Sequence, residues 1–134
     1  MPERPKRDLS EISDFQRQIG IERIEAADGS CRIWLQPDLA RNAKGDIHGG
    51  ALAALCDTAM ARAVRSANLD IWGLSTVSMT IDYLAPAAGL VIAEASVTKN
   101  GSSLAFAKTN IISSAGTLLV QASGVFRKIR EKRP

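Results

Sequence analysis

A helix surfaced largely with alanine can be enclosed closely by other elements, and the stretch Ala51 to Val64, ALAALCDTAMARAV, reads as such a helix with a single acid set into it. Alanine is the best helix former and has no bulk to hold a neighbouring element away. At about 100° per residue, the neighbours of Asp57 on the helix surface are Ala53, Ala54, Met60, Ala61 and Val64, whereas Thr58, Arg62, Arg65 and Ser66 gather on another side. Asp57 therefore points away from the polar face. A carboxylate removed from water without a partner costs several kcal/mol. Two readings follow: a structural acid tied to a backbone amide or to an arginine of a partner chain, or an acid placed for chemistry.

The residues just before the helix bear on that choice. Asn42, Gly45 and Asp46 are turn formers, His48 is the only histidine of the chain, and Gly49 and Gly50 lie where the helix should begin. Unpaired N–H groups at a helix N-terminus can hold a carbonyl oxygen that is gaining negative charge. An acid and an amide donor are the minimum parts for acyl transfer. Gly49 and Asp57 are eight residues apart, roughly 12 Å along one helix, so a single carbonyl cannot touch both. If both act on one substrate, the amide of one subunit must face the acid of another, and the protein is expected to be at least a symmetric dimer.

The chain of 134 residues is expected to form one domain, spanning 1–134, with residues 1–14 and 130–134 as flexible tails. Hydrophobic residues make up 46% of it but aromatic ones only 4%, so the core must be built from Ala, Val, Ile and Leu. The net charge of +3 is concentrated at the ends, in Arg4, Lys6 and Arg7 and in Arg127, Lys128, Arg130, Lys132 and Arg133. No basic stripe alternates with aromatics, so these read as solvated ends and not as a nucleic-acid surface. They would also suit a phosphorylated ligand such as coenzyme A. Cys31 and Cys56 form no C-x-x-C pair and no zinc pattern, and Cys56 reads as buried packing. No secretory leader and no 18-residue apolar run are present, which implies no membrane partner and a cytoplasmic setting.

Elsewhere the periodicity is mostly that of strands. A short helix from Asp8 or Ser10, with Leu9, Ile12, Phe15 and Ile19 on one side, ends at Gly20 and is expected to cover a sheet edge. Ile21–Ala27 and Cys31–Leu35 form a hairpin about Asp28-Gly29, stopped by Pro37, and a loop over 38–50 leads to a helix over about Ala51–Asn68. Thr76–Leu84 alternates, with Val77, Met79, Ile81 and Tyr83 on one face and Thr76, Ser78, Thr80 and Asp82 on the other. Gly89–Thr98, Ser103–Ser113 after an Asn100-Gly101 turn, and Thr117–Ile129 after Ala115-Gly116 complete a set of hairpin-linked strands. The expected class is α+β, an antiparallel sheet curling around one central helix. A glycine-rich dinucleotide loop and a G-x-S-x-G elbow are absent, and a lone histidine beside glycines speaks against a Ser-His-Asp triad.

Strand order and the 42–60 segment together resemble the hotdog-fold acyl-CoA thioesterases of the phenylacetic-acid-degradation (PaaI-like) branch. The likeness runs from about Phe15 to Phe126 and rests on His48-Gly49-Gly50, on Asp57-Thr58-Ala59 beginning seven residues after Gly50, on Asn42 six residues before the histidine, and on I-D-Y-L-A-P at 81–86. The resemblance implies that Asp57 is the catalytic carboxylate, as nucleophile or as general base. It implies that the Gly49 amide of a partner subunit polarises the thioester carbonyl, that His48 orders the loop or contacts the same oxygen, and that Asn42 positions water or thioester. A hydroxyl at the start of the strand belongs to the pattern, Thr76 first and Ser75 second. Gly50, Ser75, Lys99, Gly101, Ser102 and Ser103 are the implied substrate contacts, with Ser102 and Ser103 standing where many relatives carry arginine.

Each of these residues has a plainer reading beside the functional one. His48 can cap its loop, Asn42 can be a turn residue, Thr76 an ordinary strand residue, and the glycines can serve backbone conformation alone. The expected activity is hydrolysis of acyl- or aryl-CoA to free acid and CoA, with no metal and no cofactor, by a homodimer or dimer of dimers. The alternatives are a hotdog dehydratase or hydratase using His48 as base, and a non-catalytic acyl-CoA-binding or sensing domain.

Overall fold

The structure, a computed structural model, describes residues 8–131. The solvated-end reading of Arg4, Lys6, Arg7, Lys132 and Arg133 falls outside those residues. In chain order the elements are α1 (Asp14–Gln18), β1 (Ile21–Ala27), β2 (Ser30–Leu35), α2 (Gly49–Ser66), β3 (Gly73–Tyr83), β4 (Val91–Asn100), β5 (Leu104–Ser113) and β6 (Leu118–Ile129). The strands form one antiparallel sheet in the order β1-β2-β4-β5-β6-β3.

Helix α2 packs against every one of the six strands. Six strands span roughly 24 Å across a flat sheet, whereas a helix with its side chains is about 10–12 Å wide. The sheet must therefore curl around the helix, as expected of a hotdog fold. Small residues make that close wrap possible: Ala59 and Ala63 on the helix and Ala93, Ala105 and Ala107 on the sheet are all buried. Gly124 of β6 lies directly beneath the helix, where a Cβ would come within 3.0 Å of Met60 Cε and 2.9 Å of Phe126 Cε2. Cys31 and Cys56 are both buried, and burial pushes each thiol up to about 12.

The β1–β2 turn adopts the expected geometry, with Asp28 at φ 52° and Gly29 at φ 83°, the left-handed pair that a two-residue hairpin requires. Helix α1 starts later than the sequence suggests. Ser13 is its N-cap and exchanges a reciprocal capping box with Gln16, which outcompetes Asp8 and Ser10 as a starting point. It rests against the edge strand β1. Upstream of it, the Leu9 carbonyl accepts a 2.6 Å hydrogen bond from Arg62 on α2, so residues 8–13 are tied to the central helix. At the other end, Arg127 and Lys128 are strand residues of β6, within the strand expected over Thr117–Ile129, and the Arg127 side chain is exposed.

Strand β3 departs from simple alternation. Its register against β6 slips between Thr76 and Ser78, so that Thr76 pairs with Phe126 and Ser78 with Val125, leaving Val77 as an extra residue. Sequence alternation put Thr76 on the face opposite Met79 and Ile81. The bulge changes the parity, and Thr76, Met79, Ile81 and Tyr83 all oppose the evenly spaced Phe126, Gly124, Ala122 and Val120. Val77, expected on the same face as Met79 and Ile81, is 55% exposed.

Candidate active site

Helix α2 begins at Gly49, where the glycine pair implied a start and two residues before the Ala51 of the expected helix span, because His48 acts as its N-cap. The imidazole Nδ1 accepts the Gly50 N–H at 2.8 Å. In the neutral ring the proton must then sit on Nε2, so the histidine presents a donor on its other edge. The Gly49 N–H has no acceptor among the described residues, and it stands at the positive end of the helix dipole. A Cβ on Gly50 would fall 3.0 Å from His48 Nδ1, so glycine there is what lets the imidazole close over the helix end.

The loop that delivers this N-terminus is built from its own polar residues. Asn42 Oδ1 accepts the backbone N–H groups of Lys44 and Asp46, while the Asn42 N–H donates to the Asp46 carbonyl. Asn42 thus folds the turn that Gly45, at φ 88°, completes. Arg41 donates to the carbonyls of Gly45 and Ala88, and the Ile47 N–H to that of Ala87, strapping the loop to the β3–β4 connection.

Asp57 is half-buried on α2, and Thr76 Oγ1 donates to its Oδ1 at 2.7 Å. The bulge in β3 brings this hydroxyl to the helix. Ser75, one residue earlier, pairs with Arg127 and by strand alternation faces the opposite way. No Lys or Arg forms an ion pair with Asp57 among the described residues. The carboxylate is therefore oriented by one neutral donor, and its second oxygen is left for other work.

At the far end of β3, Tyr83 donates its hydroxyl to the Gly49 carbonyl at 2.8 Å, and its ring lies 3.6 Å from where a Gly49 Cβ would sit. Partial burial holds the phenol above its usual pKa, so it remains a donor at neutral pH. The sequence reading passed over Tyr83 as a residue of a strand motif. Its only signal was an aromatic with a polar tip ending an otherwise aliphatic face.

The β4–β5 turn holds the remaining candidates. Lys99 and Asn100 end β4, and Gly101 donates to the Leu104 carbonyl across the turn. The Lys128 N–H donates to the Ser103 carbonyl, and Arg130 donates to the Ser102 carbonyl at 2.6 Å. The turn that lacks arginine of its own is thus flanked by the basic end of β6. Desolvation lowers the Lys128 pKa, Arg130 repels its charge further, and Asp70 partly restores it. Within one chain, Asp57 and Thr76 form one group and His48, Gly49, Gly50 and Tyr83 another, separated by eight residues of α2, or roughly 12 Å. A surface concavity of about 540 Å³ over β1, β2 and β4 is lined by none of these residues.

Residues 44–120, the span that includes both groups, match the family model described as the thioesterase superfamily. The chain belongs to the thioesterase superfamily. Among relatives of this thioesterase, a Halobacterium salinarum protein whose assignment as an esterase is itself provisional is 35% identical over 105 residues, covering 74% of this chain and 70% of the relative. Human acyl-coenzyme A thioesterase 13 is 31% identical over 119 residues, covering 84% of each chain. The solved structure of the Escherichia coli PaaI protein superposes with a TM-score of 0.78 at 23% identity, over 87% of this chain and 85% of the other. That likeness is one of fold. The protein is a hotdog-fold thioester hydrolase.

Proposed function

We propose that this thioesterase hydrolyses an acyl- or aryl-CoA thioester to the free acid and CoA, in a site shared between two copies of the chain. Asp57 carries the reading. It is a half-buried carboxylate with a neutral hydroxyl as its partner at 2.7 Å and no cation paired to it among the described residues. A purely structural acid on an apolar helix face would be matched to a cation or enclosed by amides.

The Gly49 N–H, supported by the Nε2–H of His48, binds the oxygen that becomes negative when the thioester carbon is attacked. One such fixed donor contributes on the order of 3 to 4 kcal/mol to the barrier. Asp57 either removes a proton from the attacking water or attacks the carbonyl itself, forming an anhydride that water then opens. In both routes the C–S bond breaks, the sulfur leaves as a thiolate, and the proton released by water returns to solvent or to the sulfur. A thiol with a pKa near 8.5 leaves without a strong acid behind it.

Edge strand β3 suggests how the two groups meet. Among the described residues it has β6 on one side and no neighbour on the other, and it runs for eleven residues. Thr76, holding Asp57, and Tyr83, holding Gly49, sit toward its two ends. Antiparallel pairing of two β3 strands about a two-fold near Met79 and Thr80 would set the acid of each copy beside the glycine amide of the other, twice per dimer. A human relative named for acyl-coenzyme A supports the substrate class, and Arg127, Lys128 and Arg130 around the 101–103 turn offer cations for its phosphates.

The test is thiol release from acyl-CoA esters by Asp57→Asn. The amide keeps an acceptor for Thr76 but is neither base nor nucleophile, so turnover should fall at least about a hundredfold with folding and assembly unchanged. Native turnover by this variant would remove the assignment.

A further inference from the structure

The Gly49–Gly50 peptide opens α2, and with no Cβ on either residue its flanking dihedrals are less restrained than elsewhere in the helix, although its orientation decides where the neighbouring donors point. Both polar ends of this one peptide unit are occupied by side chains. Its carbonyl oxygen, on Gly49, accepts the Tyr83 hydroxyl at 2.8 Å, and its N–H, on Gly50, donates to His48 Nδ1 at 2.8 Å. A donor on the carbonyl of an amide polarises that amide and strengthens the N–H as a donor in turn.

We propose that Tyr83 is a positioning residue that locks His48 as its Nε2–H tautomer by clamping the Gly49–Gly50 peptide between the phenol and the imidazole. Tyr83 touches neither substrate nor reacting atoms in this scheme. The clamp runs from strand β3 through one peptide to the ring, so the same strand that holds Asp57 through Thr76 also sets the oxyanion end of the site through Tyr83. A plain packing role would need only the ring, which stands at van der Waals distance from where a Gly49 Cβ would sit. The hydroxyl is what the proposal assigns.

The kinetic part rests on the thioesterase reading given above; the tautomer part does not. Because His48 is the only histidine, the ring nitrogens of protein labelled with nitrogen-15 histidine report on it without ambiguity. In the native protein we expect the neutral ring to be the Nε2–H tautomer alone. Tyr83→Phe, which keeps the ring, should introduce an Nδ1–H population and speed hydrogen exchange of the Gly50 amide at least tenfold. It should also lower kcat for thioester hydrolysis threefold to tenfold, with KM held within twofold. Tyr83→Leu, lacking ring and hydroxyl, should show the same ring-nitrogen change. Unaltered ring signals and Gly50 exchange in the Phe variant, with a change only in the Leu variant, would mean that packing alone matters and would overturn the proposal. A tautomer shift without any loss of kcat would overturn its catalytic part. If Asp57→Asn kept full activity while Tyr83→Phe still shifted the tautomer, the site assignment would fall and the clamp would stand.

Discussion

At the scale of residues, the site depends on polar side chains with one strong partner each. Thr76 is the clearest instance, since its hydroxyl is the only described donor to Asp57. A hydrogen bond to an ionised group contributes roughly 1.5 to 3 kcal/mol, and this one is open enough to solvent to fall at the lower end. Thr76→Val keeps the β-branched shape that the strand favours and removes the hydroxyl. We expect kcat to drop about tenfold (~1.4 kcal/mol) with KM nearly constant, measured by thiol release at saturating substrate. A variant with native kcat would mean that Asp57 is oriented by something else. The identity of Asp57 as the exceptional residue was legible in the sequence, because an acid among Ala53, Ala54, Ala61 and Val64 is conspicuous at helical spacing. That Thr76 would hold it was not derivable from alternation, since only the bulge at Val77 turns the hydroxyl inward. A bulge depends on what the neighbouring strand presents, which local sequence does not record.

At the scale of elements, α2 and the sheet are held together by close approach of small side chains, and the two cysteines are part of that packing. Both thiols are buried and both are raised to about 12 from an ordinary 9.0. Above about pH 9 the unfolded chain releases protons that the folded chain retains. The stability they support is therefore complete below the unfolded value and is lost as pH rises toward the folded one. We expect the urea midpoint to fall between pH 8.5 and about 10.5, and the fall to be shallower in a Cys31→Ala, Cys56→Ala double variant. Equal slopes in the two proteins would show that the thiols ionise as readily folded as unfolded. Most element boundaries were readable from punctuation in the chain: Asp28-Gly29, Gly20 and Gly116 all take the left-handed conformation their positions implied. The start of α2 was less so, because His48 lies outside the usual N-cap set of Ser, Thr, Asp and Asn. Arg127 and Lys128 fall within the strand that the sequence implies over Thr117–Ile129, and they are paired in β6.

For the whole molecule, the central matter is that one chain holds the acid and the amide on separate stretches of α2. Two consequences can be measured. The basic residues at and just beyond the end of β6 should serve the nucleotide half of the substrate: Arg130→Ala is expected to raise KM for CoA esters about threefold to fivefold, the range of one partly exposed ion pair. The same change should leave pantetheine esters, which lack the nucleotide phosphates, unaffected. Equal changes for both substrates would place Arg130 away from the phosphates.

Subunit complementation bears most directly on the proposal of a shared site. Gly49→Pro removes the one N–H in question at the first position of a helix, where proline is tolerated, and His48 already has the extended ψ of 132° that a following proline requires. Asp57→Asn and Gly49→Pro should each be inactive as pure proteins. Refolded together from an equimolar mixture, half of the dimers pair unlike chains and carry one intact site out of two, so about a quarter of native turnover should return. A mixture no more active than its parents, with dimers of unlike chains demonstrably formed, would contradict a site built from the acid of one copy and the amide of the other.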